Sequence, residues 1–233
     1  MGDKKTGIII VAGGKGNRVG GTLPKQFRIL GQLPVLAHTL QAFAQALPGA
    51  PIVVVLPAEQ IDFWKDLSAR FNTPAHTCTV GGSERFFSVQ RGLAALPETV
   101  DLIAVHDGVR PLVTEEMILR TVDCAAHYGS AIPVVEVADS LRRITPEGST
   151  PENRTPLRIV QTPQVFDAKM LRDAYRTEFC PDFTDDASVF ERAGLSVTLC
   201  PGERSNLKIT TPDDLLTAQG ILLCREMARE EDL

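Results

Sequence analysis

The sequence predicts an α/β domain with a mostly parallel sheet flanked by helices, and three observations carry that prediction. Short β-branched runs alternate with longer stretches of helical period, the pattern of repeated βαβ units. The strand runs are apolar throughout, as in strands buried on both faces. A glycine-rich turn follows the first run, at the strand end where open α/β sheets collect ligands.

The first strand falls at residues 7–12 and the first long helix at 35–46, with Pro34 suited to its first turn. Strand 52–56 leads to helix 59–71, strand 77–80 to helix 84–96, and strand 102–106 to helix 115–128. Two more strands fall at 131–137 and 196–200. Thr184, with Asp185 and Asp186 behind it, suits a helix N-cap followed by acids that complement the dipole, the helix being closed by Gly194. Thr211, Pro212 and Asp214 read the same way for a last helix from 212 to about 227, followed by a frayed charged tail.

One stretch breaks this rhythm. Residues 139–161 are polar, hold Pro146, Pro151 and Pro156, have no sustained period, and are too long for an ordinary connection. Arg142, Arg143, Arg154 and Arg158 favour a role near an anion or a partner subunit, with a flexible surface excursion as the alternative. No internal repeat or low-complexity tract appears, so residues 1–233 read as one domain with an inserted arm at about 138–161.

A composition of 43% hydrophobic and 23% charged residues excludes disorder as the main state. The longest clean apolar run, residues 8–12, is far short of the roughly 20 residues that span a bilayer, and residues 1–6 lack a secretory apolar region. The expectation is a soluble, untargeted protein. Twenty-four Lys and Arg against 29 Asp and Glu give a net charge of −5, which disfavours nonspecific binding to nucleic acid or anionic membrane. Cys78, Cys124, Cys180, Cys200 and Cys224 are widely spaced with no C-x-x-C pair, which indicates neither a disulfide framework nor a zinc site. A reducing cytoplasm is the simplest home.

The charge is uneven along the chain. Residues 4–58 hold no Asp or Glu, yet Lys4, Lys5, Lys15, Arg18, Lys25 and Arg28 all fall there. The first strand runs into Gly13, Gly14, Lys15, Gly16, Asn17 and Arg18, a turn whose backbone N–H groups can approach phosphates closely. It is not the dinucleotide fingerprint, since Val19 stands at the third glycine position and no acid lies near position 30 for a ribose hydroxyl. Nor is it a Walker A loop, because no G-K-[ST] follows at the required spacing. Gly81, Gly82 and Ser83 open a second helix after a strand, followed by Glu84 and Arg85. They suit either a base edge or a plain sharp connection.

Asp107 ends a third strand after Val105 and His106, and precedes Gly108 and Arg110-Pro111. A carboxylate at a carboxyl strand end faces the crevice of an open α/β sheet and suits Mg²⁺ or a substrate hydroxyl. His106, without a partner motif, reads as structural. Lys208 alternates with apolar neighbours at 206–210, in a final strand region, and points either into the cleft or to solvent.

Taken together, these residues resemble the 2-C-methyl-D-erythritol 4-phosphate cytidylyltransferases of the non-mevalonate isoprenoid pathway. The resembling blocks are AGGKGNRVGGTLPKQ (12–26), GGSERFFSV (81–89), VHDGVRP (105–111), QTPQVF (161–166), TDDAS (184–188) and NLKITTPDDL (206–215). The resemblance implies a Rossmann-like nucleotidyltransferase fold with a projecting dimerisation arm, a homodimer, and transfer of CMP from CTP dependent on Mg²⁺ or another divalent cation. It assigns Arg18 and Lys25 to catalysis by charge stabilisation on the α-phosphate. Ala12, Gly13, Gly14, Lys15, Gly16, Gly82 and Ser88 are assigned to CTP. Asp107, Ser140, Arg154, Thr162, Thr184 and Lys208 are assigned to the sugar phosphate, with Ser140 and Arg154 reaching in from a neighbouring subunit. Asp107 is also the expected metal ligand.

The chain departs from the family pattern in places. Ala12-Gly13 and Gly108-Val109 stand where the family often has two alanines, Ser140 where Thr is usual, and Arg158 where an aromatic is common. A ribitol-5-phosphate cytidylyltransferase is the rival reading, which Val109 before Arg110-Pro111 resembles. SVQRGL at 88–93, the Arg142-Arg143 pair and TDDAS favour the methylerythritol branch. A nucleotide-binding module without turnover is disfavoured by the joint presence of Arg18, Lys25, Asp107 and Lys208.

Overall fold

Apolar strands buried on both faces set the architecture. The computed structural model describes residues 4–13 and 23–231. Along the chain come β1 (Thr6–Val11), β2 (Ile29–Leu30), β3 (Leu33–Pro34), α1 (Val35–Ala46), β4 (Ile52–Leu56), α2 (Ile61–Arg70), β5 (Thr77–Val80) and α3 (Arg85–Ala95). Next are β6 (Leu102–Asp107), α4 (Glu115–Tyr128), β7 (Ser130–Glu136), β8 (Leu141–Thr145), β9 (Gly148–Glu152), β10 (Arg158–Val160) and β11 (Gln164–Asp167). The chain ends with α5 (Ala168–Ala174), α6 (Asp186–Arg192), β12 (Leu199–Pro201) and α7 (Pro212–Glu231).

Side chains alternate across β1, so its consecutive isoleucines serve two cores. Ile8 and Ile10 pack with Leu36, Leu40 and Phe43 of α1 and with Met117 and Ile118 of α4. Ile9 faces the other way, into Val89 and Leu93 of α3 and Leu171 of α5. Thr114 caps α4 by accepting from the Met117 N–H, and Gly129 closes that helix in the left-handed region, which is why its limits match the sequence reading.

Among the described residues the main sheet has the pairing order β10-β7-β11-β6-β1-β4-β5, with β12 also on β7. The β1, β4, β5 and β6 pairings are parallel, as is β12 with β7, while β11 runs against β6 and β7, and β10 against β7. This is the mostly parallel, helix-flanked sheet expected. From β1 the chain builds outward to β4 and β5, then returns to β6 on the other side of β1, which creates a switch point at the carboxyl ends of β1 and β6. Val11 and Asp107 are register partners at those ends. Among the described residues, no helix is long and apolar enough to cross a membrane.

Several local expectations need correction. Asp185, not Thr184, caps α6, in a reciprocal capping box with Ser188. Pro34 ends β3 and stands at the N-cap of α1 rather than inside its first turn. The 196–200 strand begins only at Leu199, because the Ser130 hydroxyl holds the Ser196 carbonyl and the Thr198 N–H. Residues 206–210 form no strand; the Asn206 N–H donates to the Glu203 carbonyl and the Ile209 N–H to the Val109 carbonyl. The charged tail stays helical to Glu231. Residues 139–161 are not patternless: β8 and β9 pair as a hairpin, and β10 joins β7. β11 and α5, which follow directly, have no counterpart in the sequence reading.

Candidate active site

The first turn is anchored from below. Ala12 donates its N–H to the Val55 carbonyl, and its own carbonyl accepts from the buried Gln26 side chain at 2.8 Å. The Gln26 amide also reaches Gln60 Oε1 at 2.7 Å. Among the described residues a methyl group on Gly13 would meet only Pro57 Cδ, at 3.8 Å, ordinary contact for the alanine frequent in the resembled family. Lys25 is half-buried at the start of a 3-10 turn, Lys25–Phe27, fixed by the buried Phe27 ring stacked 5.8 Å from Trp64. Gly14, Lys15, Gly16 and Arg18 lie outside the described residues.

The second turn closes on itself. Gly81 donates to the Leu56 carbonyl at 2.7 Å, and Gly82 donates to Ser88 Oγ at 3.1 Å. That hydroxyl donates in turn to the Glu84 carbonyl at 3.1 Å. A Cβ on Gly82 would fall 2.3 Å from Phe87 Cβ, so this close approach requires glycine. Gly82 and Ser88, assigned together from sequence, are brought together.

The third strand end gathers charge. Asp107 Oδ2 receives Arg110 Nε at 3.2 Å and Lys208 Nζ at 3.1 Å. Arg85 Nε stands 3.9 Å from the other oxygen, Oδ1. Burial alone would push the Asp107 carboxyl up, but Arg85, then Lys208 and Arg110, hold it well below the usual carboxylate range. Lys208 reaches this point because the buried Asn206 pins its segment: Nδ2 donates to the Thr162 carbonyl at 2.8 Å, and the Asn206 carbonyl accepts from Arg110 Nη1 at 2.8 Å. The Asp107 N–H donates to Thr162 Oγ1 at 3.1 Å. Thr162, whose peptide bond to Pro163 is cis, thus lies against the strand end.

His106 is structural, as expected. Its ring stands edge-on to Phe43 at 4.9 Å, with Nε2 3.2 Å from the Arg110 carbonyl and Nδ1 3.0 Å from the Thr162 hydroxyl. Burial drives its pKa down to about 3 despite the opposing pull of Asp107, so the ring is neutral and both contacts serve to orient Arg110 and Thr162.

Asp107 does not fit the metal role expected of it. Three cations already face its carboxylate, and an ion bound there would stand among fixed positive charges. Among the described residues no group of three His, Cys, Asp or Glu could hold a metal ion. The arrangement suits a hydroxyl on the carboxylate and a phosphate on the more exposed Lys208.

The remaining expected residues are spread out. Thr184 is exposed just ahead of the Asp185 cap. Ser140 and Arg154 are exposed on the arm, where Arg154 Nη1 donates to the Ala138 carbonyl. Neither bonds to Asp107, Thr162 or Lys208 among the described residues. Sequence reasoning left Arg85, Arg110, Asp186 and Tyr175 out of the site. Arg85 and Asp186 lie within the GGSERFFSV and TDDAS blocks, where their charge was the available signal; nothing local marked Tyr175.

The family model for 2-C-methyl-D-erythritol 4-phosphate cytidylyltransferase (IspD) matches residues 6–224. Relatives of that name from Bacteroides thetaiotaomicron and Bacteroides fragilis are 49% and 47% identical to this chain. The first alignment covers 94% of this chain and 100% of the relative, the second 92% and 98%. The crystal structure of 4-diphosphocytidyl-2C-methyl-D-erythritol synthase from Anaerococcus prevotii superposes with a TM-score of 0.80 at 28% identity, covering 94% of this chain and 96% of that one.

Proposed function

The chain belongs to the 2-C-methyl-D-erythritol 4-phosphate cytidylyltransferase family, and from that membership we propose how its residues carry the reaction. CMP passes from CTP to 2-C-methyl-D-erythritol 4-phosphate, giving 4-diphosphocytidyl-2-C-methyl-D-erythritol and pyrophosphate, a step of non-mevalonate isoprenoid precursor biosynthesis. The matches are to this branch and give the ribitol 5-phosphate reading no support.

An oxygen of the acceptor phosphate attacks the α-phosphorus of CTP. The new P–O bond forms as the bond to the β-phosphate bridging oxygen breaks, and pyrophosphate leaves with that electron pair. The acceptor phosphate is already ionised near neutral pH, so no protein base or covalent nucleophile is required, and positioning plus charge stabilisation carry the rate. Arg18 and Lys25 neutralise charge on the α-phosphate, and residues 12–16 hold the triphosphate. Gly82 and Ser88 read the base. The observation that carries this assignment is the Asp107 carboxylate with Lys208, Arg110 and Arg85 around it, one strand from the 12–13 turn. Asp107 takes a polyol hydroxyl and Lys208 the acceptor phosphate, with Thr162 and Thr184 lining the pocket.

A divalent cation such as Mg²⁺ belongs with the CTP phosphates rather than on Asp107. The enzyme is one domain carrying an arm through which it forms a homodimer, Ser140 and Arg154 serving the neighbouring site. Ile144, at 81% exposure, and the exposed Ile159 and Val160 support a covered face on that arm. Free cysteines and the net charge of −5 support a cytoplasmic enzyme that binds neither membrane nor nucleic acid.

Pyrophosphate release tests this, with CTP, Mg²⁺ and 2-C-methyl-D-erythritol 4-phosphate run beside ribitol 5-phosphate and beside ATP, GTP and UTP. Release confined to CTP with the methylerythritol phosphate is expected. Equal or greater turnover of ribitol phosphate would overturn the acceptor, and silence with both acceptors would overturn the activity.

A further inference from the structure

Asp186 is a carboxylate with no exposed surface that the reaction itself does not touch. An ionised group is held in such a place only when partners replace its water. Its Oδ2 takes Arg85 Nη2 at 2.6 Å, and its Oδ1 accepts from the hydroxyl of the buried Tyr175 at 2.6 Å. The Tyr175 ring stacks on Phe86, the residue after Arg85, with centroids 4.9 Å apart. The start of α3 is thus gripped twice, by Tyr175 just after α5 and by Asp186 at the start of α6.

The two oxygens of Asp107 are treated unequally. Among the described residues Arg110 and Lys208 pair with Oδ2, whereas Arg85 approaches Oδ1, its Nε standing 3.9 Å away, beyond hydrogen-bond reach. A guanidinium so close, released from Asp186, would close on that oxygen through its planar fork and occupy its lone pairs. We propose that Asp186, with Tyr175, is a positioning residue of the acceptor pocket: it keeps Arg85 off Asp107 and reserves Asp107 Oδ1 for a hydroxyl of the incoming polyol phosphate. Arg85 is then held beside the pocket by Asp186 and takes no part in binding the acceptor, which falls to Asp107 and Lys208. This inference rests on the proposed reaction and on Asp107 binding the acceptor.

Steady-state kinetics of the full-length protein test it, with CTP and 2-C-methyl-D-erythritol 4-phosphate varied separately. Asp186→Asn weakens the grip on Arg85, so the acceptor KM rises by about tenfold or more while the CTP KM stays within about twofold. The Arg85→Gln/Asp186→Asn double variant removes the released guanidinium and brings the acceptor KM back toward the wild-type value. A purely structural contact between α3 and α6 would give no such rescue. Tyr175→Phe keeps the ring stack and loosens Asp186 in the same direction by a smaller factor, so the test stands if Asp186→Asn folds poorly. An unchanged acceptor KM in folded single variants, an equal rise in both KM values, or a double variant no better than Asp186→Asn overturns the inference. Wild-type turnover separately tests the reaction: its absence overturns both, whereas turnover without the KM split or rescue overturns the positioning role alone.

Discussion

The ammonium of Lys208 stands 3.1 Å from Oδ2 of Asp107, although one residue precedes α7 and the other ends β6. Nearly half of the Lys208 side chain remains exposed while the carboxylate is buried, so the pair presents a cation at the rim and an acceptor oxygen beneath it. A polyol phosphate has the complementary order, with its anion at one end and hydroxyls along the chain. Lys208→Met is therefore expected to lower kcat/KM for the acceptor by about 10²-fold, the loss of a charge-assisted contact, with the CTP KM nearly unchanged. Initial rates with each substrate varied in turn check this; a matching rise in the CTP KM would refute the assignment.

In the proposed reaction Lys25 acts on charge that grows only as the α-phosphorus is attacked. Lys25→Gln is expected to reduce kcat by about 10²- to 10³-fold while both KM values change little. Single-turnover pyrophosphate release measures it, and a fully active, folded variant would remove Lys25 from the reaction.

Gly82 has no room for a side chain, since its Cβ would fall 2.3 Å from Phe87 Cβ. Gly82→Ala must displace the turn and break the N–H contact to Ser88, an overpacking strain of about 1–3 kcal/mol. The CTP KM is expected to rise about tenfold and the melting temperature to fall. Retention of wild-type CTP affinity, by calorimetry, would show that this turn does not read the nucleotide.

His106 supplies a pH signature of stability. Its ring titrates near 6.5 ordinarily and near 3 in the fold, burial being the main cause. Between those values the unfolded chain binds a proton that the native ring refuses. The ring's contribution to stability is therefore fully present above pH 6.5 and is lost as pH falls toward 3, by about 1.4 kcal/mol per pH unit inside that window. Urea unfolding at pH 7 and pH 5 should show a smaller difference for His106→Gln than for wild type, and identical differences would disprove the linkage.

Residue order alone made most of the architecture legible. Strands such as 52–56 and helices such as 35–46 are marked by local period and composition, which neighbours along the chain carry without help. The six motif blocks likewise held the expected site residues in readable order, apart from Ser140 and Arg154 on the arm. What escaped was decided by distance in space. β11 is too short to announce itself and exists because β6 and β7 offer ladders on both sides. Residues 206–210 alternate like a strand, yet they join no ladder, Asn206 spending its groups on Thr162, Arg110 and Gln161.

Asp107 shows the same division. Its place at a strand end was plain from sequence, but the cations around it, Arg85, Arg110 and Lys208, arrive from three separate segments and make it the anionic centre of a cationic cluster. Local pattern determines which residues lie at the crevice, since period and turn chemistry act over a few positions. Which charges meet there is settled only when the folded chain excludes water and makes a buried carboxylate depend on whatever cations the packing brings within a few ångströms.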